Sequence, residues 1–298
     1  MIKYEWRTRL DADEAAQLAD LLDRAATYDA EPEYSTIDFG DVERAMQTTD
    51  SRVKHLLIWM LPYSTALGAA EEPERIAGLL RLVVDPDGSA QGAIVIDPRL
   101  RSIGITTLLL EQVGLDTAGP DGWLGTGAHT ITAWAQGNHP AAGRLGDRFL
   151  IPRTRRVWKL IRSTESAQEA TAAPVLEPFV ASTVDDTPEW VDITTTDELF
   201  ALREAGRVVG VVAVDDRPVS SEEFGVCVTI TAVSAAPNAP TQARRRLLDG
   251  AAALAHEAGR SGVIVYVDSA DAAWVNACRA AGFQHDRTDV CFQLRGRR

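Results

Sequence analysis

Apolar side chains recur at helical spacing over residues 13 to 27, "DEAAQLADLLDRAAT", behind an acidic start, and again over 41 to 47, "DVERAMQ". Both segments are expected as helices. The period then changes. "KHLLIWML" (54 to 61), "RIAGLLRLVVD" (75 to 85) and "AQGAIVID" (90 to 97) read as strands, the last two separated by the strong turn "DPDG". A helix at about 104 to 115 follows, then a Gly-rich loop, a strand at 129 to 135, the helix "HPAAGRLGDRF" and the strand "RRVWKLI". Residues 163 to 190 are rich in Ser, Thr, Ala, Pro and acids without clear periodicity, which marks a linker.

Beyond the linker the order recurs. "ELFALRE", "RVVGVVAVD" and "GVCVTITAV" read as strands, residues 240 to 259 as a helix, "GVIVYVD" (262 to 268) as a strand, "DAAWVNACRAAGF" as a helix and "DVCFQL" as the final strand. From Ile96 to Trp134 is 38 residues, and from Val233 to Tyr266 is 33, so the halves repeat with similar spacing. Gene duplication accounts for this. The expected class is α/β with mixed α+β sheets, in a first domain (1–164), a linker and entry segment (165–190) and a shorter second domain (191–298).

The chain has 298 residues, 45% of them apolar, enough for two ordinary cores. No run of 18 apolar residues occurs, and acids stand where a signal peptide would have its apolar core, so no membrane segment is expected and the cytoplasm is the expected location. The net charge of −13 argues against nucleic acid as a partner. Cys227, Cys278 and Cys291 form no CxxC pair and the five histidines show no ligand spacing, so no metal is expected. A monomer is the expected state.

One junction concentrates the chemistry. "VIDPRLRSIGITTLLLEQ" (95 to 112) runs from a β-branched strand through a basic turn into a helix, with Gly104 at the joint. Free amides at such a helix start suit a phosphate, although an ordinary strand-to-helix turn has the same pattern. Asp97, before Pro98, is of the kind that forms turns.

Strands followed by an Arg-x-x-Gly-x-small turn, a helix, a strand and a small-residue helix ending in Gly-Phe resemble the GNAT family of acetyl-CoA-dependent N-acetyltransferases. Three patches make the resemblance a tandem one: "EWRTRLDADEAAQLADLLDRAA", "IVIDPRLRSIGITTLL" and "VYVDSADAAWVNACRAAGFQHDRTDVCFQL". The resemblance implies two GNAT-like domains, the second shortened and degenerate. It implies acetyl-CoA as co-substrate and a small-molecule amine as acceptor, entering between the domains. The pyrophosphate would rest on Arg101, Ser102, Ile103, Gly104, Ile105 and Thr106, with Arg99 and Arg101 supplying charge. The pantetheine arm would pair with Ile94, Val95 and Ile96 like an added strand. In the second half "SAAPNAPTQARRR" stands at the turn, with no glycine and two prolines that lack an amide hydrogen.

Many GNAT enzymes use a strand glutamate as base and a helix tyrosine as acid. The matching positions here hold Cys227 and Cys278 in the second half, and Ala93 and about Leu145 in the first. The remaining catalytic candidates are Tyr266, Glu222, Glu223 and His139. Tyr266 and Asp268, ending a strand, align with acceptor contacts. A different amine acceptor, or an acyl-CoA-binding module without catalysis, stays open on these residues alone.

Overall fold

A computed structural model of the chain describes residues 1–48, 51–61, 74–165, 174–180, 190–191, 197–240 and 242–296. Most of the expected linker, 165–190, lies outside the described residues. By internal contacts the chain divides into two units, Met1–Arg155 with Asp289–Arg298, and Arg156–Thr288.

In the first unit the strands are β1 (Ile2–Arg7), β2 (Val53–Met60), β3 (Arg75–Val84), β4 (Ser89–Ile96) and β5 (Thr130–Ala135). The closing portion of β12 (Gln284–Arg295) pairs with β5 through Val290–Arg295. The sheet order is β1-β2-β3-β4-β5-β12. Only β4 and β5 run parallel. β1 was not among the expected strands. Ile2, Tyr4 and Trp6 alternate with Lys3, Glu5 and Arg7, and the apolar set packs with Leu56, Ile58, Leu80 and Leu82.

That face is closed by α3 (Ile105–Val113), which buries Ile105 and Leu109. On the other face α1 (Ala12–Asp29) buries Leu18, Leu21, Leu22 and Ala25, a helical stripe set against Leu57, Trp59, Leu79 and Val95. α1 begins with a capping box in which Asp11 and Glu14 satisfy each other's amides, so its start is fixed locally. α2 (Phe39–Gln47) and α4 (Pro140–Phe149) complete the unit.

In the second unit the strands follow the order β6-β11-β10-β9-β8-β7. Its strands are β6 (Arg153–Ser163), β7 (Glu177–Pro178), β8 (Glu198–Glu204), β9 (Arg207–Ser221), β10 (Gly225–Ala235) and β11 (Gly262–Asp268). Among the described residues of this unit β10 and β11 are parallel and the pairs β6–β11, β9–β10, β8–β9 and β7–β8 antiparallel, so both units show the mixed strand pairing that the sequence implied. Helices α5 (Ala243–Glu257) and α6 (Ala272–Ala280) contribute Leu247, Leu248, Ala251, Val275 and Cys278 to its core. β9 runs beyond its expected end at Asp215. Pro218 is tolerated because it falls at a register shift against β10 and beyond Val214, where pairing with β8 ends.

Candidate functional site

β4 is paired unequally on its two sides. Its antiparallel ladder with β3 continues from Val84↔Ala90 to Gly78↔Ile96, whereas its parallel ladder with β5 ends at Gly92↔Ala133. From Ala93 to Ile96 the backbone edge toward β5 is therefore open, and Ile94 is exposed. An extended ligand carrying amides fits such an edge by adding to the sheet.

The turn that follows is built for rigidity. Asp97, fully buried, accepts from the Arg99 amide at 3.0 Å and caps a 3-10 turn, Pro98–Leu100. Its carboxylate also meets Arg24 of α1 at 2.8 Å and Arg99 at 3.0 Å. Burial opposes the charge, but hydrogen bonds from Arg99 and Arg24 outweigh it and hold the pKa down at about 2. Asp97 is thus a turn former, not a base at neutral pH.

Arg101 is the second staple. Its guanidinium grips Asp29 at 2.6 and 2.7 Å, and its Nε donates to the Ile96 carbonyl at 3.1 Å. Its charge is committed inside the protein, so it holds the turn and does not supply free charge as the sequence led us to expect. Asp29 ends α1, where a carboxylate is disfavoured by the helix dipole, and Arg101 offsets that cost. Arg99 keeps a half-exposed side chain beside the turn.

Between these staples and α3 the chain turns through Ser102 at φ 67° and Gly104 at φ 89°. Gly104 is the N-cap of α3 and offers no side-chain cap. The Leu108 amide is the first in this stretch to donate, to Gly104 O at 2.9 Å. Among the described residues no acceptor takes the amides of Ser102 through Thr107. Ser102, Ile103 and Gly104 are exposed, and a Cβ on Gly104 would meet nothing within 4 Å. Exposed, convergent amides at a helix start form an anion-binding arrangement.

The equivalent turn in the second unit has been closed off. Pro237 and Pro240 lack amide hydrogens, and the amides of Ala236, Ala239 and Ala243 donate to Val209, Ala236 and Pro240. Its three arginines are engaged as well. Arg244 lies over Trp274 at 5.2 Å, Arg245 faces Asp249 at 3.4 Å and Arg246 pairs with Glu204.

The catalytic candidates lie apart in the fold. Glu222 and Glu223 are exposed at the tip of the β9–β10 hairpin, well before Ile230 where the β10–β11 ladder ends. Tyr266 is half-exposed on β11, and Asp268 at its end accepts from the Ala270 amide at 3.0 Å. Cys227 is buried with its Sγ against Gly262, and burial raises its pKa. Cys278 is buried in α6 and its pKa is pushed up to about 12 by desolvation. Neither thiol serves as a base or acid at neutral pH. His139 instead lies in the first unit, as the N-cap of α4, with its Nδ1 accepting from the Ala141 amide at 3.1 Å.

A second feature of this unit was not anticipated. A cavity of about 410 Å³ lies over Gln91, Thr132, Trp134, Thr154, Arg155 and Gln293. Register places Gln91, Thr132 and Gln293 side by side, so the cavity covers a polar face of β4, β5 and β12 next to the point where β4 and β5 part. Alternating polar residues in "SAQ" and "TITAW" carried that signal. Among the described residues no group of three or more His, Cys, Asp or Glu side chains is placed to hold a metal, and no helix is long and apolar enough to cross a membrane.

No family model matches the chain. Curated relatives named mycothiol acetyltransferase nevertheless align along almost its full length. The one from Saccharomonospora viridis is 26% identical over 328 residues, covering 97% of this chain and 98% of that protein. The one from Rhodococcus jostii is 24% identical over 321 residues, covering 96% and 97%. Among solved structures, a tandem GNAT protein from the clavulanic acid biosynthesis pathway superposes with TM-score 0.59 at 13% identity, covering 98% of each chain. A GCN5-related N-acetyltransferase from Sphaerobacter thermophilus gives TM-score 0.56 at 15% identity, covering 97% and 95%. The fold is therefore the tandem GNAT fold, and the chain is similar throughout to N-acetyltransferases.

Proposed function

We propose that the protein is an acetyl-CoA-dependent N-acetyltransferase of the mycothiol acetyltransferase type, transferring acetyl to the cysteinyl amine of Cys-GlcN-inositol. One observation carries the acetyl-CoA part of this: among the described residues no acceptor takes the amides of Ser102 through Thr107, and Ser102, Ile103 and Gly104 are exposed, on a turn stapled in place by Asp97 and Arg101. The diphosphate of acetyl-CoA lies against those amides with Arg99 alongside, and its pantetheine arm adds to the open edge of Ile94, Val95 and Ile96. Ile103, Gly104, Ile105 and Thr106 shape the cradle, and the acyl group reaches the part of β4 that β5 leaves unpaired. The acceptor body lies in the polar cavity over Gln91 and Thr132. The amine attacks as its neutral form, and CoA departs as a thiolate stable enough to need no strong acid.

Calorimetry with acetyl-CoA tests the first step. Wild type binds with one site, and Gly104→Glu, which puts a carboxylate among the amides, loses binding; equal binding by the two overturns the reading. Turnover of Cys-GlcN-inositol against a panel of amines tests the acceptor. The cysteines at 227 and 278 favour a second reading, a diverged tandem acetyltransferase with another amine acceptor, and selective turnover of such an amine would establish it. Tight binding with no turnover of any amine would leave an acyl-CoA-binding module.

A further inference from the structure

The open ends of β4 and β5 are joined by a chain of contacts within the first unit. Arg101 Nε donates to Ile96 O at the end of β4, and the Arg101 guanidinium holds Asp29. The carbonyl of Asp29 accepts from the Tyr34 amide at 3.1 Å, and the Tyr34 ring lies 4.3 Å from the His139 imidazole. His139 follows β5 by one short turn, Gln136–Asn138, whose Gly137 is packed so closely on Pro32 and Tyr34 that a Cβ would come within 2.9 Å of both. The imidazole is therefore held at the mouth of the gap between the two strands.

Its protonation state follows from its bonding. A backbone N–H only donates, so the contact from Ala141 requires a lone pair on Nδ1, and the ring proton resides on Nε2. Burial and the nearby Arg101 guanidinium lower the His139 pKa, which keeps this neutral form at physiological pH. Among the described residues nothing takes the Nε2–H. Elsewhere in this unit Asp97 is consumed by two arginines, and the positions that match the family's glutamate and tyrosine carry Ala93 and about Leu145, neither of which has a proton to move. Among the described residues His139 thus keeps a donor to spare at the strand ends.

We propose that His139 is a catalytic residue whose Nε2–H donates to the thioester carbonyl oxygen and stabilises the oxyanion. This rests on acetyl-CoA lying along the open edge of β4. The amine lone pair forms the new C–N bond while the carbonyl π pair moves onto oxygen, where the Nε2–H meets it. The oxyanion then collapses, the C–S bond breaks with its pair leaving on CoA sulfur, and the amine's proton passes to solvent. His139 keeps its proton throughout, so no imidazolium is required. A fixed neutral donor aimed where charge develops contributes about 100-fold to the rate.

Serine separates this role from helix capping, because its hydroxyl still accepts the Ala141 amide but offers no donor in the position of Nε2. His139→Ser is expected to keep the melting temperature and acetyl-CoA affinity of wild type while kcat for Cys-GlcN-inositol falls about 100-fold and KM for acetyl-CoA stays unchanged; His139→Ala loses both stability and rate. Infrared difference spectra with acetyl-CoA labelled at the carbonyl carbon read the bond without turnover: the carbonyl stretch is lower in wild type than in His139→Ser. Equal kcat in wild type and His139→Ser, or equal carbonyl stretches, overturns the proposal and leaves acetyl-CoA binding at the cradle intact. Wild type that fails to bind acetyl-CoA overturns the cradle and His139 together.

Discussion

Arg101 and Asp29, 72 residues apart, meet as a two-pronged pair, Nη1 to Oδ1 at 2.6 Å and Nη2 to Oδ2 at 2.7 Å. The pair ties the turn before α3 to the end of α1. Because both charges are largely out of solvent, Asp29→Ala leaves a guanidinium without its partner and is expected to cost on the order of 3 kcal/mol in chemical denaturation.

The salt dependence of acetyl-CoA binding separates the two basic residues. Arg99→Ala should flatten the fall of affinity with ionic strength, since its half-exposed guanidinium stands beside the proposed cradle, and should also lower stability, since it removes one of the two arginines paired with buried Asp97. Arg101→Lys should lower stability and affinity but retain the wild-type salt slope, since a lysine keeps the charge and loses the bidentate grip.

Gly104 and Gly122 both need positive φ, at 89° and 67°, but differ in their surroundings. A Cβ at Gly104 faces open space, while one at Gly122 would come within 2.6 Å of the Ala128 backbone nitrogen. Gly104→Ala should therefore cost about 1 kcal/mol, from backbone strain alone, and Gly122→Ala more, as read from shifts in the urea midpoint.

His55 on β2 is buried, among the described residues its Nε2 has no partner, and burial with Arg81 nearby lowers its pKa to about 4. The unfolded chain, titrating near pH 6.5, binds the proton first, so acidification favours unfolding. Stability is full above about pH 6.5 and falls as the pH drops toward about 4. His55→Leu should remove that slope in denaturation curves measured across the window. Asp97 acts lower, since its stabilisation is present above the ordinary carboxylate range and is lost only as pH falls toward about 2.

The buried thiols give a chemical test. Cys227 and Cys278, both with raised pKa values, should resist alkylation at neutral pH in the folded protein and react once it is denatured. Cys227→Glu should fail to raise acetyl transfer and should destabilise, because a carboxylate is placed where there is no solvent.

Most of this architecture was readable from periodicity. The junction at 95 to 112 announced a strand, a turn and a helix because its β-branched run, Pro98 and Gly104 each act locally. β1 was missed, although Ile2, Tyr4 and Trp6 alternate with polar residues, because six residues beside an acidic helix start give a weak signal. The partners of Arg101 were not legible. A run of basic residues looks the same whether it faces solvent or an aspartate 72 positions away, and only the packing of α1 on β3 and β4 decides. His139 was visible as a helix start, while the orientation of its ring depended on Tyr34, brought in by the chain beyond α1.

The contact between Cys227 and Gly262 also limits which side chains the second unit accepts at either position. A Cβ on Gly262 would come within 2.5 Å of Sγ, so the two positions are complementary and changes in one alter what the other tolerates. A larger or charged side chain at 227 therefore needs a compensating change in its surroundings, and a single substitution there carries a steric cost as well as one of desolvation.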